Sequence, residues 1–170
     1  SYRYAESLSC SIQYDRGGRI FYEVPGQGYK YVDMNLQEAE NAIVEEFSMY
    51  EEWLDKYEYL IELGKSLDAY PESSKTDDKL IKGCQSRVWL DYKFENGKIV
   101  FTADSDAIIT KGIISLLIGL YSGRTPQEIL SSDFSVVEKI GLKENLSPTR
   151  ANGLVSMIAK IREIAREKSI

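Results

Sequence analysis

The dipeptide Asn96-Gly97 lies between two stretches that alternate apolar and polar residues, Val88 to Phe94 and Lys98 to Thr102. Both residues tolerate the positive φ that a type I′ turn demands, so the sequence predicts an antiparallel hairpin here. Val88, Leu90, Tyr92 and Phe94 fall on one face of it, and Trp89, Asp91 and Lys93 on the other. The next segment carries Ile108, Ile109, Ile113, Leu116, Leu117 and Leu120. It reads as a helix apolar nearly all round and therefore central, with Asp104 or Ser105 as its cap and Gly123 as its stop.

Upstream of the hairpin, Leu36, Ala39, Ile43, Phe47, Tyr50, Leu54, Tyr57 and Ile61 recur at three- and four-residue steps, and Asn35 is placed to cap the start. Glu38, Glu40, Glu45, Glu46, Glu51 and Glu52 fall elsewhere on the wheel. This is one long amphipathic helix, or two in series, ending near Gly64. A loop containing Pro71 follows from Ser66 to Thr76, then a basic stretch from Lys79 to Lys82. Downstream, Thr125-Pro126-Gln127-Glu128 is a capping box with proline at the first helical position, and Ser147-Pro148 opens a last helix in the same way. Leu154, Met157, Ile158, Ile161 and Ala165 face inward on that helix. The fold class is α+β, a small antiparallel β-sheet packed against helices.

Residues 1–33 differ from the rest: rich in Tyr and Gly, poor in aliphatics and followed by Met34. Arg19 to Val24 and Tyr29 to Val32 either pair across Pro25-Gly26-Gln27-Gly28 as a hairpin, or belong to an N-terminal extension of a domain spanning 34–170. At 170 residues the chain suits one domain. A net charge of −6 argues against a broad basic face for nucleic acid or an anionic membrane. The longest apolar run, Ile113 to Tyr121, is far short of the roughly 20 residues of a membrane span, and the first residues show no signal-peptide core. A cytoplasmic protein is expected, and two cysteines suit a reducing compartment.

The chain contains no histidine, which removes Ser-His-Asp and Cys-His nucleophile pairs and the commonest zinc ligand. Cys10 and Cys84 form no CxxC pair, so neither a metal nor a resident cofactor is expected. Cys84 lies in Gly83-Cys84-Gln85-Ser86-Arg87, just before the first hairpin strand, with Lys79, Lys82 and Arg87 close in sequence. Nearby cations favour thiolate over thiol, so a lowered Cys84 pKa is expected, although Asp77 and Asp78 offset two of them. A thiolate without histidine suits disulfide-type exchange, in which the leaving group is itself a thiolate and needs no general acid. The alternative is a small buried hydrophobe.

Five blocks carry a resemblance. They are Tyr57-Glu58-Tyr59-Leu60-Ile61-Glu62-Leu63-Gly64-Lys65; Lys82-Gly83-Cys84-Gln85-Ser86 with Val88-Trp89; Asp104-Ser105-Asp106-Ala107 with Lys111-Gly112; Tyr121-Ser122-Gly123-Arg124-Thr125-Pro126; and Leu146-Ser147-Pro148-Thr149-Arg150 with Asn152-Gly153-Leu154 and Met157. In this order they resemble the SufE family of sulfur-acceptor proteins, including its close relative CsdE. The resemblance implies an IscU-like fold and a carrier rather than an enzyme. Its cysteine takes sulfane sulfur from a pyridoxal-phosphate cysteine desulfurase, SufS- or CsdA-like, stimulates that partner, and relays the sulfur to a SufBCD-type iron-sulfur scaffold.

Carried over, Cys84 is the persulfide acceptor. Asp106 would hold the cysteine loop through backbone N–H groups, or else complement a helix start. Arg150, in the first turn of the last helix, would face the loop or the partner and stabilise thiolate or persulfide. Gly83, Gln85, Ser86 and Arg87 would shape the loop or the interface, and Trp89 would pack. An IscU-type cluster scaffold is the alternative in another class, opposed by the lack of ligands, since such a site needs about three cysteines plus a further ligand. A thiol redox protein is a third, with only Cys10 to resolve Cys84. Cys10 finds no match in the family core and is assigned no role.

Overall fold

The predicted hairpin is present and longer than its alternation alone indicates. In the computed structural model, which describes residues 34–170 in full and the backbone of residues 13–14, 20–24, 26 and 28–31, strands β4 (Val88–Glu95) and β5 (Lys98–Ser105) pair antiparallel from Val88 opposite Ser105 to Glu95 opposite Lys98. Asn96 and Gly97 take φ of 53° and 76°, the left-handed turn that the sequence demanded. The Ile81 N–H donates to the Val88 carbonyl at 2.9 Å, and the Ile99 N–H to the Arg124 carbonyl at 2.9 Å, so both edges of the pair are partly covered. The upstream hairpin forms as well: β2 (Ile20–Val24) pairs antiparallel with β3 (Gly28–Tyr31), and β1 (Gln13–Tyr14) adds to β2 on its other side. Arg19, Val32 and Cys10 lie outside the described residues.

The first helical stretch is two helices, α1 (Leu36–Ser48) and α2 (Trp53–Lys65). Asn35 caps α1 as expected, its side chain accepting the Glu38 N–H at 2.8 Å while the Glu38 carboxylate accepts the Asn35 N–H at 3.3 Å. Two positions depart from the predicted wheel. Glu40 is buried at 8% exposure because its carboxylate accepts hydrogen bonds from the Tyr121 and Ser132 hydroxyls, both at 3.1 Å. Leu54 is 70% exposed, because the break between α1 and α2 resets the phase of the apolar face.

Helix α3 (Ile108–Tyr121) is the centre of the molecule, buried from Thr110 to Tyr121 apart from Lys111 and Gly119. Leu60 of α2, Ile99 and Phe101 of β5 and Ile113, Ile114 and Leu117 of α3 share one core, each side chain contributing about 1.5–3 kcal/mol by leaving water. Helices α2 and α3 cross with their backbones almost touching. A Cβ on Gly64 would stand 2.9 Å from the Gly112 nitrogen, and one on Gly112 would collide with the Leu60 carbonyl. The Ser115 hydroxyl donates to the Leu63 carbonyl at 2.7 Å and ties the crossing.

The start of α3 corrects the prediction. Its N-cap is Ala107, without a side-chain bond, because both expected caps are engaged elsewhere. Asp104 pairs with Lys75 at 3.2 Å and Lys111 at 3.3 Å, and the Ser105 hydroxyl donates to the Arg87 carbonyl at 2.8 Å. Asp106 therefore precedes the helix and is not in its first turn. Gly123, with φ 74°, ends α3 as predicted, and its N–H donates to the Ile99 carbonyl at 2.7 Å. The Thr125 capping box opens α4 (Pro126–Ser131). Two short helices absent from the sequence reading follow, α5 (Val136–Lys139) and α6 (Leu142–Asn145), and Ser147 caps the last helix, α7 (Pro148–Lys168).

Candidate functional site

Cys84 sits on the loop that runs from Ile81 into β4, and that loop is fastened at its far end. The Arg87 N–H donates to Asp106 Oδ1 at 3.0 Å, while the Arg87 carbonyl accepts from the Asp106 N–H at 3.2 Å and the Ser105 hydroxyl at 2.8 Å. Asp106 thus binds the cysteine loop through one backbone N–H, from a position one residue before the α3 cap. At the near end Gly83 adopts φ 93°, a conformation L side chains rarely take, and a Cβ there would run into the Ser156 hydroxyl of α7.

Between these ends the Cys84 thiol is half-buried and points at α7, donating to the Gly153 carbonyl with Sγ and O 3.6 Å apart. Gly153 makes room for it: even a methyl carbon there would lie 3.4 Å from Sγ. Burial pushes the Cys84 thiol above its ordinary pKa, and a hydrogen bond that uses the S–H proton acts in the same direction. This overturns the expectation of a thiol acidified by its basic neighbours. Lys79 pairs with Asp91 at 3.0 Å, and Lys82 and Arg87 are exposed to water, which screens their charge, and neither lines the cleft that the sulfur faces.

The sulfur opens onto a cleft of about 340 Å³ between the cysteine loop and the first turns of α3 and α7. Ile113 and Met157 make its apolar floor, Gln85 and Ser86 belong to its loop wall, and Arg150 is the single charged residue lining it. Arg150 is the third residue of α7, where its N–H donates to the Ser147 hydroxyl at 3.4 Å. Its guanidinium is exposed and makes no ion pair among the described residues, although a cation is disfavoured at a helix N-terminus. The space next to Sγ is thus lined by one cation, Arg150, and suits an anion there, while the α7 amides are largely spent, since Pro148 has no N–H and those of Arg150 and Ala151 are bonded to Ser147.

The predicted residues Gly83, Cys84, Gln85, Ser86, Arg87, Asp106 and Arg150 therefore come together at one locality. Trp89 packs, 7% exposed, with Lys75 Nζ 5.3 Å from its ring. Lys75 and Lys111 also hold Asp104: burial alone would raise that carboxyl, but the hydrogen bonds from the Ser105 N–H and both lysines hold it below the usual carboxylate range. This clip fixes the end of β5 from which Asp106 reaches the loop.

Gly153 and Ser156 were given no role by sequence reasoning. A glycine inside a helix costs about 1 kcal/mol relative to alanine, so Gly153, in the second turn of an otherwise unbroken helical pattern, was itself a signal of close approach. Among the described residues no three His, Cys, Asp or Glu side chains converge as a metal site would need, and no helix is long and apolar enough to cross a membrane.

Comparison with known proteins extends these findings. An uncharacterized SufE-like protein of Rhizobium etli is 41% identical over 134 residues, covering 76% of this chain and 90% of that protein. Another, from Rhizobium meliloti, is 41% identical over 130 residues, covering 74% and 93%. The solution structure of a hypothetical protein from Thermus thermophilus superposes with a TM-score of 0.64 at 20% identity, over 76% of this chain and 94% of that one, which shows the shared α+β fold. The SufE family, described as an Fe-S metabolism associated domain, matches residues 41–165, a span that takes in the cysteine loop, the α2–α3 crossing and most of α7. By sequence, fold and the residues gathered at Cys84, the chain belongs to the SufE family.

Proposed function

We propose that this protein is a persulfide carrier of iron-sulfur metabolism: Cys84 accepts sulfane sulfur from the active-site persulfide of a pyridoxal-phosphate cysteine desulfurase, SufS- or CsdA-like, stimulates that enzyme's turnover, and hands the sulfur to a SufBCD-type scaffold. The observation that carries this reading is the placement of Cys84, the one cysteine in the matched family region, in a cleft beside Arg150 and the α7 N-terminus.

The exchange needs no acid. The Cys84 thiolate attacks the outer sulfur of the donor persulfide, a new S–S bond forms at Cys84 as the donor S–S bond breaks, and the donor cysteine leaves as thiolate. The outer sulfur keeps its proton or ionises, and oxidation states are exchanged between the two cysteines without an external oxidant. Arg150 stabilises the anion, first as Cys84 thiolate and then as persulfide. The raised pKa and the Gly153 bond describe a resting state in which the sulfur is held as thiol, away from adventitious thiols and oxidants. Activation is release of the loop towards the donor.

The test is intact-protein mass after incubation of wild type and Cys84→Ala with a cysteine desulfurase and free cysteine, without reductant. A gain of one sulfur on wild type alone, reversed by a thiol, is expected. No gain, or an equal gain on the variant, removes the carrier mechanism.

A further inference from the structure

The cleft beside Cys84 carries polar groups that the protein itself does not satisfy. Its volume of about 340 Å³ lies at the lower end of the roughly 300–1,000 Å³ usual for small-molecule sites. A small oxyanion fits easily, at roughly 100 Å³ if counted as three waters. Arg150 brings an unpaired cation to this space, and among the described residues no carboxylate lines it. Thr110, in the first turn of α3, is 6% exposed, yet its hydroxyl makes no hydrogen bond among the described residues. That hydroxyl is not sealed in the core but opens to the cleft. Buried hydroxyls are almost always paired, so one left open beside a cation marks a place for a ligand. Ser147, also on the wall, uses its oxygen to accept the Arg150 N–H and keeps its O–H proton to donate. Next to the sulfur the cleft thus offers a guanidinium and hydroxyl donors, without an acid.

We infer that this cleft is a second entry for sulfur: it binds a small sulfane-sulfur oxyanion of the thiosulfate and thiosulfonate class, from which Cys84 takes the outer sulfur without a protein donor. The inference rests on the sulfur-acceptor reading of Cys84 and adds a substrate class to it. With thiosulfate, the Cys84 thiolate attacks the outer sulfur, an S–S bond forms at Cys84 as that of thiosulfate breaks, and its electron pair leaves on sulfite. Thiolate and thiosulfate bring three negative charges; two depart on sulfite and one stays on the Cys84 persulfide, so neither proton nor oxidant is consumed. An acceptor thiolate then attacks the outer sulfur of the persulfide and returns Cys84 as thiolate. The lack of an acid in the cleft selects such substrates, because a leaving group there must be stable as an anion. Arg150 and the Thr110 hydroxyl hold the oxygens, where charge gathers as the bond breaks. A small donor reaches the half-buried sulfur through the cleft, without release of the loop.

The test loads the full chain with thiosulfate alone, without desulfurase, at about pH 8.5, where a free thiol is half ionised. Intact mass scores the sulfur gained, peptide mass counts Cys10 apart, and sulfite release in the presence of a small thiol acceptor gives the steady-state rate. One sulfur is expected at Cys84 of wild type and none there in Cys84→Ala. Arg150→Gln should lower kcat/KM at least about tenfold, the loss of a charge-assisted hydrogen bond. Thr110→Val keeps the shape of the side chain and should lower it about two- to tenfold. Sulfate, an oxyanion without sulfane sulfur, should compete with thiosulfate, chloride at equal ionic strength should not, and both variants should weaken the competition. Arg150 is exposed, so its variant carries the test even where Thr110→Val lowers the melting temperature.

Sulfur gained from a desulfurase but not from thiosulfate overturns this route and leaves the acceptor reading intact. Sulfur gained from neither overturns both. Thiosulfate loading that is equally fast at Cys10, or indifferent to Arg150→Gln, overturns the cleft as its site, since any accessible thiol would then serve.

Discussion

Gly83→Ala is the most informative single change to the cysteine loop. Gly83 holds φ 93°, which costs a residue with a Cβ about 1–3 kcal/mol, and the added methyl would also press on the Ser156 hydroxyl. The loop is fastened firmly at Arg87 but near Cys84 only by the thiol–carbonyl bond, so the strain is relieved by opening between residues 82 and 86. At about 1.4 kcal/mol per factor of ten, the open population rises from about fivefold to somewhat over a hundredfold. The assay is the rate of iodoacetamide alkylation at pH 8, scored at Cys84 by peptide mass so that Cys10 is counted apart. The variant should react at least fivefold faster, and Gly83→Ala/Ser156→Ala should recover only the part due to the hydroxyl. Alkylation at the wild-type rate, with an unchanged melting temperature, would refute the claim that this glycine holds the loop closed.

Other consequences can be measured on the same protein. Asp106→Ala removes the acceptor for the Arg87 N–H and should raise Cys84 alkylation severalfold, whereas Asp106→Asn keeps an oxygen there and should stay near wild type; equal behaviour of the two would show that charge, not the hydrogen bond, matters. The Cys84 pKa is raised on folding, so the folded state binds the proton more tightly and the stabilisation present below the unfolded thiol pKa, near 8.5, is lost as pH climbs through the raised value. Melting temperatures from pH 7 to 10 should therefore fall more for wild type than for Cys84→Ala, and parallel curves would contradict a buried thiol. Gly112→Ala places a methyl on the Leu60 carbonyl and should destabilise by about 3 kcal/mol, the upper end of overpacking, in urea unfolding; a loss below about 1 kcal/mol would mean that the helices separate freely.

What could be read from the sequence is what local chemistry decides. The Asn96-Gly97 turn, the Asn35, Thr125 and Ser147 caps and the Gly123 stop are each specified within four residues, and each is found where expected. What could not be read depends on partners distant in the chain. Glu40 falls on the polar side of its wheel, but Tyr121 and Ser132, more than 80 residues away, supply the hydroxyls that let it be buried. The α3 cap failed for the same reason, since Asp104 is claimed by Lys75 across the fold. For Cys84 the sequence located the residue but misjudged its ionisation: proximity along the chain suggested three cations, whereas the backbone turns the sulfur inward to Gly153 and leaves two of the cations exposed to water. Gly153 and Ser156, which decide that orientation, lie about 70 residues from Cys84.

The α2–α3 crossing gives the site a hard stop. Side-chain packing yields by fractions of an ångström when a neighbour changes, because rotamers adjust, but at Gly64 and Gly112 the contact is backbone against backbone and no rotamer exists to absorb a displacement. Thr110 and Ile113, which flank Gly112 on α3, line the cleft, so this wall is referenced to α2 like a machined face to its seat. The molecule thus sets a fixed jaw, built on two glycines, against the cysteine loop, which turns at a third. Core substitutions elsewhere would retune stability without shifting the fixed jaw, and the gap that a sulfur must enter would keep its width.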